Sequence, residues 1–141
     1  ILLNLNAVPV DGAEEILTYL KEKDYCLCAA SNGPYGQQIN RLKKVDMLKY
    51  FANCFVSEKV GADKPGKAFF DGCMKELPGV CPEECMMIGD SLTADITGGR
   101  AYGMSTCWYV PSVEKYREEK SKSGKPADHI IHDLLELKKI L

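Results

Sequence analysis

Short apolar runs alternate with helix-like segments along the chain, and this alternation limits the possible folds more than any other feature. The runs are continuously apolar, which is typical of strands covered on both faces. Strands separated by helices at this spacing favour right-handed crossovers and a parallel sheet. The sequence therefore predicts an α/β fold, a Rossmann-like three-layer sandwich with a mostly parallel sheet. The predicted strands, the last of them the weakest, cover residues 25–30, 54–57, 85–88, 104–110 and 128–132.

The segments between these runs have the periodicity of amphipathic helices. One face of the first segment carries the apolar residues Ala13, Ile16, Leu17 and Leu20. The polar stretch 114–125 is predicted to be the end of a helix followed by a solvated loop. The other predicted helices cover residues 12–23, 36–49, 66–77, 92–102 and 133–141.

Length and charge exclude several classes of protein. A chain of 141 residues is long enough for one domain with a buried core. Its 18 Lys and Arg against 20 Asp and Glu argue against nucleic-acid binding, because neutralising phosphates needs a basic excess. No apolar run reaches the roughly 20 residues that cross a bilayer, and residues 1–10 do not resemble a signal peptide. We therefore expect a cytoplasmic protein with no nucleic-acid or membrane partner.

The chain contains seven cysteines, an odd number. Cys81 and Cys85 could suggest a metal-binding pair, but no CxxC motif or histidine partner accompanies them. A reduced thiol beside an apolar run behaves as a small hydrophobe, which fits a reducing cytosol. The sequence therefore predicts buried, reduced thiols at the five cysteines in or beside apolar runs: Cys26, Cys28, Cys54, Cys85 and Cys107.

Polar side chains follow three successive predicted strands. Ser31 and Asn32 follow the first strand, Lys64 follows the second, and Asp90 and Asp95 follow the third. Ligands of an open parallel sheet bind at the carboxyl ends of its strands, so we expect these groups to meet at one edge. A hydroxyl, an ammonium and two carboxylates together suit a phosphate group beside a divalent cation such as Mg²⁺.

Taken singly, most of these residues also have a structural interpretation. The residues at 31–33 are common in turns, and Lys64 could be an ordinary solvated lysine. Asp95 could be a first-turn charge favoured by the helix dipole. Asp90 is harder to explain, because capping by Ser91 does not require a carboxylate before it. Their order on successive strands favours the functional interpretation.

The same residues resemble the motifs of the haloacid dehalogenase-like (HAD) hydrolase superfamily. In that family a Ser or Thr follows a strand, as Ser31 does, and a Lys precedes a helix, as Lys64 does. The next motif reads Gly-Asp-x-x-x-x-Asp, as residues 89–95 do. The match extends over about residues 9–110. The residues around Ser31, with Ser57 and Glu58, look most like the pyrimidine 5′-nucleotidase branch, with the acylneuraminate-9-phosphatase branch close behind.

This resemblance implies an Mg²⁺-dependent phosphatase acting on a small phosphorylated metabolite, a nucleotide or a sugar phosphate. Ser31 and Asn32 would bind the phosphate, and Lys64 would neutralise it and act in catalysis together with Ser31. Asp90 would be a metal ligand, and Asp95 would orient the metal's outer shell. The reaction implied is phosphoryl transfer to an aspartate, followed by hydrolysis of the aspartyl-phosphate.

The family's first motif, Asp-x-Asp, supplies the nucleophile and two metal ligands, and it has no counterpart here. Its superficial match is Asn4-Leu-Asn6. We expect residues 1–8 to be the tail of a missing helical cap and residues 9–141 to form the core domain. The sheet would then lack its first strand, which favours dimerisation or association with a missing N-terminal segment.

This interpretation predicts a chain that is inactive alone, with its nucleophile elsewhere. The alternative is a non-catalytic HAD-like domain that binds phosphate or a partner, with Asn4 and Asn6 in place of the acids.

Overall fold

A computed structural model describes residues 2–4, 12–123 and 126–141 of the chain. Six strands form one sheet in the order β3-β2-β1-β4-β5-β6, and each neighbouring pair is parallel. All five predicted strands are present, with ends that differ slightly from the predicted ones. The strands are β1 Leu2–Asn4, β2 Cys28–Ser31, β3 Asn53–Val56, β4 Met86–Gly89, β5 Ser105–Tyr109 and β6 His129–Ile131.

The α-helices are α1 Ala13–Glu22, α2 Tyr35–Lys44, α3 Ser57–Val60, α4 Lys67–Lys75, α5 Gly98–Tyr102 and α6 Val113–Ser123. The predicted helix over 92–102 is divided, because a π-helical turn, Leu92–Thr97, precedes α5. The predicted helix over 133–141 is a 3-10 segment, Leu134–Lys139. Helix α3 was not predicted, since it is only one turn long.

Helices cover both faces of the sheet, which confirms the three-layer α/β sandwich. Adjacent residues of a strand point to opposite faces. On β4, Ile88 packs in a cluster with Leu17 of α1, whereas Met87 packs in a second cluster with Phe69 of α4. Burial of these apolar side chains on both faces drives the folding of the sheet.

The expectation that the sheet lacks its first strand is wrong. Leu2–Asn4 forms β1 between β2 and β4, with Leu3 paired to Ala29 on one side and to Ile88 on the other. A strand at this position pairs with backbone groups of β2 and β4, which would otherwise be edge strands with unpaired N–H and C=O groups. Residues 2–4 therefore form a strand, not a helical tail. Residues 5–8 lie outside the described residues, and the domain boundary after residue 8 stays a prediction.

All seven cysteines are free. The prediction of burial is wrong for Cys26, which is exposed because it precedes β2, and Cys54 is only half-buried. Burial raises the pKa of Cys28, Cys73 and Cys107 to about 12, because removal from water disfavours the thiolate. The cysteines buried in the core are Cys28, Cys73, Cys85 and Cys107.

Across the described parts of the chain, none of the helices is both long and apolar enough to span a bilayer.

Candidate active site

Lys64 is the centre of the candidate site. It lies in the loop between α3 and α4, and its side chain is only 2% exposed. Its ammonium group donates one hydrogen bond to Oδ1 of Asp95 at 2.6 Å and another to the carbonyl oxygen of Ala30 at 3.1 Å. An ammonium has three N–H donors, so one remains for a further acceptor beyond the partners found among the described residues. Lys64 therefore connects the carboxyl end of β2 with the turn after β4.

Asp95 is fully buried on the π-helical turn, and its two carboxylate oxygens have different partners. Oδ1 accepts from Lys64, and Oδ2 accepts from the backbone N–H of Ser91 at 3.2 Å. A buried carboxylate destabilises the fold unless it is paired in this way. A Cβ atom at Gly89 would overlap the Asp95 carboxylate, so this close approach requires glycine. The structure thus places Asp95 against Lys64, a contact that the sequence analysis did not identify.

Ser31 ends β2 and is buried, and Asn32 follows it. The Ser31 hydroxyl donates a long hydrogen bond, 3.3 Å, to the carbonyl oxygen of Asn32. The side chain of Asn32 makes two hydrogen bonds with the backbone of Lys64. Its Oδ1 accepts from the Lys64 N–H at 2.9 Å, and its Nδ2 donates to the Lys64 carbonyl at 3.1 Å. Asn32 therefore holds the loop that carries Lys64.

Residues after β3 hold the turn that follows Asn32. The hydroxyl oxygen of Ser57 accepts from the Gly33 N–H at 2.8 Å, where Gly33 has a φ of +133°. The Glu58 carboxylate accepts from the N–H of Tyr35, the first residue of α2, at 3.0 Å. In the sequence, Ser57 and Glu58 stand out only through the resemblance to the nucleotidase branch. Their contacts join separate elements, so local sequence patterns gave no signal for them.

Asp90 follows β4 and is partly exposed. Its carbonyl oxygen accepts a hydrogen bond from the indole N–H of Trp108 at 3.2 Å. Trp108 is fully buried in β5, in register with Gly89. The backbone of Asp90 is therefore anchored to the neighbouring strand, at the strand end that the sequence predicted.

The predicted groups lie along one edge of the sheet. Ser31 ends β2 and Asp90 follows β4, two strands that flank β1, and Lys64 bonds to Ala30 of β2 and to Asp95 on the turn after β4. A hydroxyl, an ammonium and a carboxylate thus belong to the carboxyl-end edge of one sheet. This grouping can bind an oxyanion.

The donor set at this edge fits magnesium in part. Asp90 and Asp95 bring two carboxylates there, but Asp95 already pairs with Lys64. Among the described side chains, no three of His, Cys, Asp or Glu are grouped to hold a metal ion. Mg²⁺ prefers oxygen ligands and often binds through one or two carboxylates plus water and substrate. Asp90 therefore fits as one ligand among several, the others coming from water, substrate or further residues.

Comparison with known proteins identifies the family. The sequence model for haloacid dehalogenase-like hydrolases matches residues 1–103. The chain belongs to this family. The motifs at Ser31, Lys64 and Asp90 had indicated the same relationship.

Characterised relatives of this HAD-like chain include phosphatases. Pyrimidine 5′-nucleotidase PynA of Streptococcus pneumoniae is 41% identical over 102 residues, which are 72% of this chain and 43% of PynA. Glyceraldehyde 3-phosphate phosphatase of Pyrococcus furiosus is 30% identical over 132 residues, 94% of this chain and 54% of the relative. The chain spans about half the length of these relatives and corresponds to their C-terminal part.

Solved structures of HAD hydrolases have the same fold. The putative HAD-hydrolase YfnB of Bacillus subtilis, solved bound to magnesium, superposes with a TM-score of 0.83 at 34% identity. The match covers 94% of this chain and 55% of YfnB. A HAD phosphatase from Thermococcus onnurineus superposes with a TM-score of 0.81 at 30% identity, covering 93% of this chain and 57% of that one.

Proposed function

We propose that this chain carries the phosphate- and magnesium-binding part of a phosphomonoesterase that works through an aspartyl-phosphate. The observation that supports it most is the buried Lys64 ammonium, which is bonded to Ala30 and Asp95 and keeps one N–H for another acceptor. A buried cation with a spare donor, bonded to the residue before Ser31 and to the turn that follows Asp90, is suited to a phosphoryl oxygen.

Phosphoryl transfer depends mainly on positioning and on neutralising charge. Lys64 donates a hydrogen bond to one phosphoryl oxygen. The Ser31 hydroxyl gives up its long hydrogen bond to the Asn32 carbonyl and donates to a second phosphoryl oxygen. The Asn32 side chain is engaged by the Lys64 backbone, so its own part in phosphate binding is limited to its main chain. Asp95 holds the ammonium in place. Bound Mg²⁺, with Asp90 among its ligands, would supply charge that polarises the phosphoryl group.

The nucleophilic aspartate of this reaction lies outside the chain. The residue that ends the central strand β1 is Asn4, level with Ala30 of β2. A neutral amide is not a nucleophile that forms an acyl phosphate. The chain is therefore expected to be inactive alone, and to act together with an N-terminal segment. Because β1 fills the expected gap in the sheet, that position is not open for pairing with a second copy of the chain.

The proposed substrate is a small phosphorylated metabolite. The PynA relative supports a pyrimidine nucleoside 5′-monophosphate as the first candidate, and the Pyrococcus relative supports a sugar phosphate as the second. We place the reaction in the cytoplasm, which the seven free cysteines support.

A chimera tests this function. The N-terminal half of Bacillus subtilis YfnB, joined to residues 12–141 of this chain, would supply the missing segment. With Mg²⁺ present, we expect the chimera to release phosphate from p-nitrophenyl phosphate and from uridine 5′-monophosphate. Residues 1–141 alone should release none.

The control is the same chimera with Asp90→Asn, which should bind Mg²⁺ more weakly and lose activity. Circular dichroism verifies that both chimeras fold. A folded chimera without phosphatase activity, or one unaffected by Asp90→Asn, would argue against the proposal.

Binding without turnover is the second candidate function, and the position of Asn4 at the end of β1 favours it. It predicts that residues 1–141 bind inorganic phosphate and that no Asp-x-Asp motif is encoded upstream of Ile1. Isothermal titration calorimetry measures the phosphate binding, and the reading frame upstream of Ile1 distinguishes this candidate from the first, which requires that motif.

A further inference from the structure

We propose that Trp108 is a positioning residue for Asp90, an inference that rests on the proposed role of Asp90 as a magnesium ligand. Trp108 of β5 is in register with Gly89, the last residue of β4. Its indole N–H donates to the carbonyl oxygen of Asp90 at 3.2 Å. This bond fixes the peptide plane after Asp90, and with it the direction in which the Asp90 side chain leaves the backbone.

The indole is itself held in a fixed position. It is fully buried, and the ring of Tyr116 in α6 lies 6.1 Å from it, centroid to centroid. Close packing of this kind leaves an aromatic side chain little freedom to change rotamer. Asp90 is therefore tied to a rigid point of the sheet. The buried residues that form a cluster with Trp108 are Ile96, Val110 and Ala127.

The two acidic residues of this turn are anchored differently. Asp95 is held through its carboxylate, by Lys64 and by the Ser91 N–H. Asp90 is held by Trp108 through its main chain, a bond that uses neither carboxylate oxygen. Residues behind a metal ligand commonly set its orientation and so its affinity. The geometry assigns that work to Trp108.

The chain has one tryptophan, which makes a sharp test possible. A ¹H–¹⁵N NMR spectrum of residues 1–141 contains a single indole N–H signal. On titration with MgCl₂, we expect this signal and the Asp90 amide signal to shift together, with one apparent Kd. Asp90→Asn should abolish both shifts. Trp108→Phe keeps a ring but removes the donor, and should weaken Mg²⁺ binding roughly three- to tenfold, the effect of one lost hydrogen bond.

Ile16→Val, a comparable loss in the core on the opposite face, is the control for general destabilisation. It should lower stability without changing the Kd. If Trp108→Phe does not fold, the wild-type protein still gives a result, because Mg²⁺ should slow hydrogen exchange of the indole N–H. An unchanged Kd in Trp108→Phe overturns the positioning role and leaves the proposed function standing. An Asp90 shift accompanied neither by an indole shift nor by slower indole exchange has the same consequence. No shift at Asp90, in residues 1–141 and in the YfnB chimera alike, overturns both.

Discussion

Lys64 and Asp95 form an ion pair that differs from the other pairs in the described structure. Their side chains are 2% and 0% exposed, whereas those of Lys67 and Asp71 are 81% and 51% exposed. Desolvation makes a buried charge unfavourable unless its partner is present, so removing one partner leaves an uncompensated charge. Exposed pairs lack this dependence, because water solvates either charge alone.

This contrast predicts the effect of two matched substitutions. Lys64→Met should lower the free energy of unfolding by about 3 kcal/mol, because the buried Asp95 carboxylate loses the cation that balances its charge. Lys67→Met should change it by less than about 0.5 kcal/mol. Urea denaturation measures both. The double variant Lys64→Met/Asp95→Asn should recover part of the loss, and equal losses for the two single variants would contradict this account.

At this scale the sequence predicted residues at the carboxyl ends of strands and in the loops beyond them. Ser31, Lys64 and Asp90 could be found because ligands bind at the carboxyl ends of parallel strands. The Asn32–Lys64 and Trp108–Asp90 contacts could not, because their partners are 32 and 18 positions apart. Contacts of that separation depend on how the strands are arranged in the sheet.

At the scale of elements, strands were predicted more reliably than helices. The strands β2, β4 and β5 are buried apolar runs bounded by turn residues, which is a strong local signal. The expectation of a gap between β2 and β4 was wrong, because the segment Leu2–Asn4 pairs with both strands. The π-helical turn Leu92–Thr97 was also missed, since its geometry follows from the contacts of Asp95.

The C-terminal 3-10 segment carries a pH-sensitive capping interaction. The Glu136 carboxylate accepts from the N–H of His132 at 2.6 Å and from that of Asp133 at 2.9 Å. These bonds lower the pKa of Glu136, with His132 the larger cause. The ionised Glu136 carboxylate therefore stabilises the fold at pH values above 4.5, its ordinary pKa. This stabilisation is lost as pH falls through the lowered pKa of the folded state.

Glu136→Gln should therefore destabilise the protein at neutral pH, and the difference from wild type should disappear under acidic conditions. Thermal unfolding as a function of pH measures this. Glu22→Gln, at the exposed end of α1, is the control and should show no such convergence. A difference that persists in acid would contradict the assignment to the ionised carboxylate.

At the scale of the whole molecule, two cores on opposite faces of one sheet hold the three layers together. Both contain buried thiols, among them Cys73 in one and Cys107 in the other. Burial raises the pKa of these two thiols from the usual 9.0 to about 12. The thiols lose their protons at a lower pH in the unfolded chain than in the folded protein. The free energy of unfolding should therefore fall as pH rises from 9 towards 12.

Urea denaturation with a reducing agent present measures this alkaline loss. Cys107→Ala should make the decline with pH shallower, because one buried thiol no longer titrates on unfolding. Cys26→Ala removes an exposed thiol and should leave the decline as in the wild type. Identical slopes for the two variants would contradict the role of burial.

The central claim is that Lys64 stabilises charge on a transferred phosphoryl group. Its most direct test is kcat/KM of the YfnB chimera for p-nitrophenyl phosphate, with Lys64→Met beside the exposed control Lys67→Met, both verified as folded. The account predicts a loss of at least about 10²–10³-fold for Lys64→Met, the usual effect of removing one such donor, and little change for the control. A folded Lys64→Met chimera with the activity of its parent would contradict it.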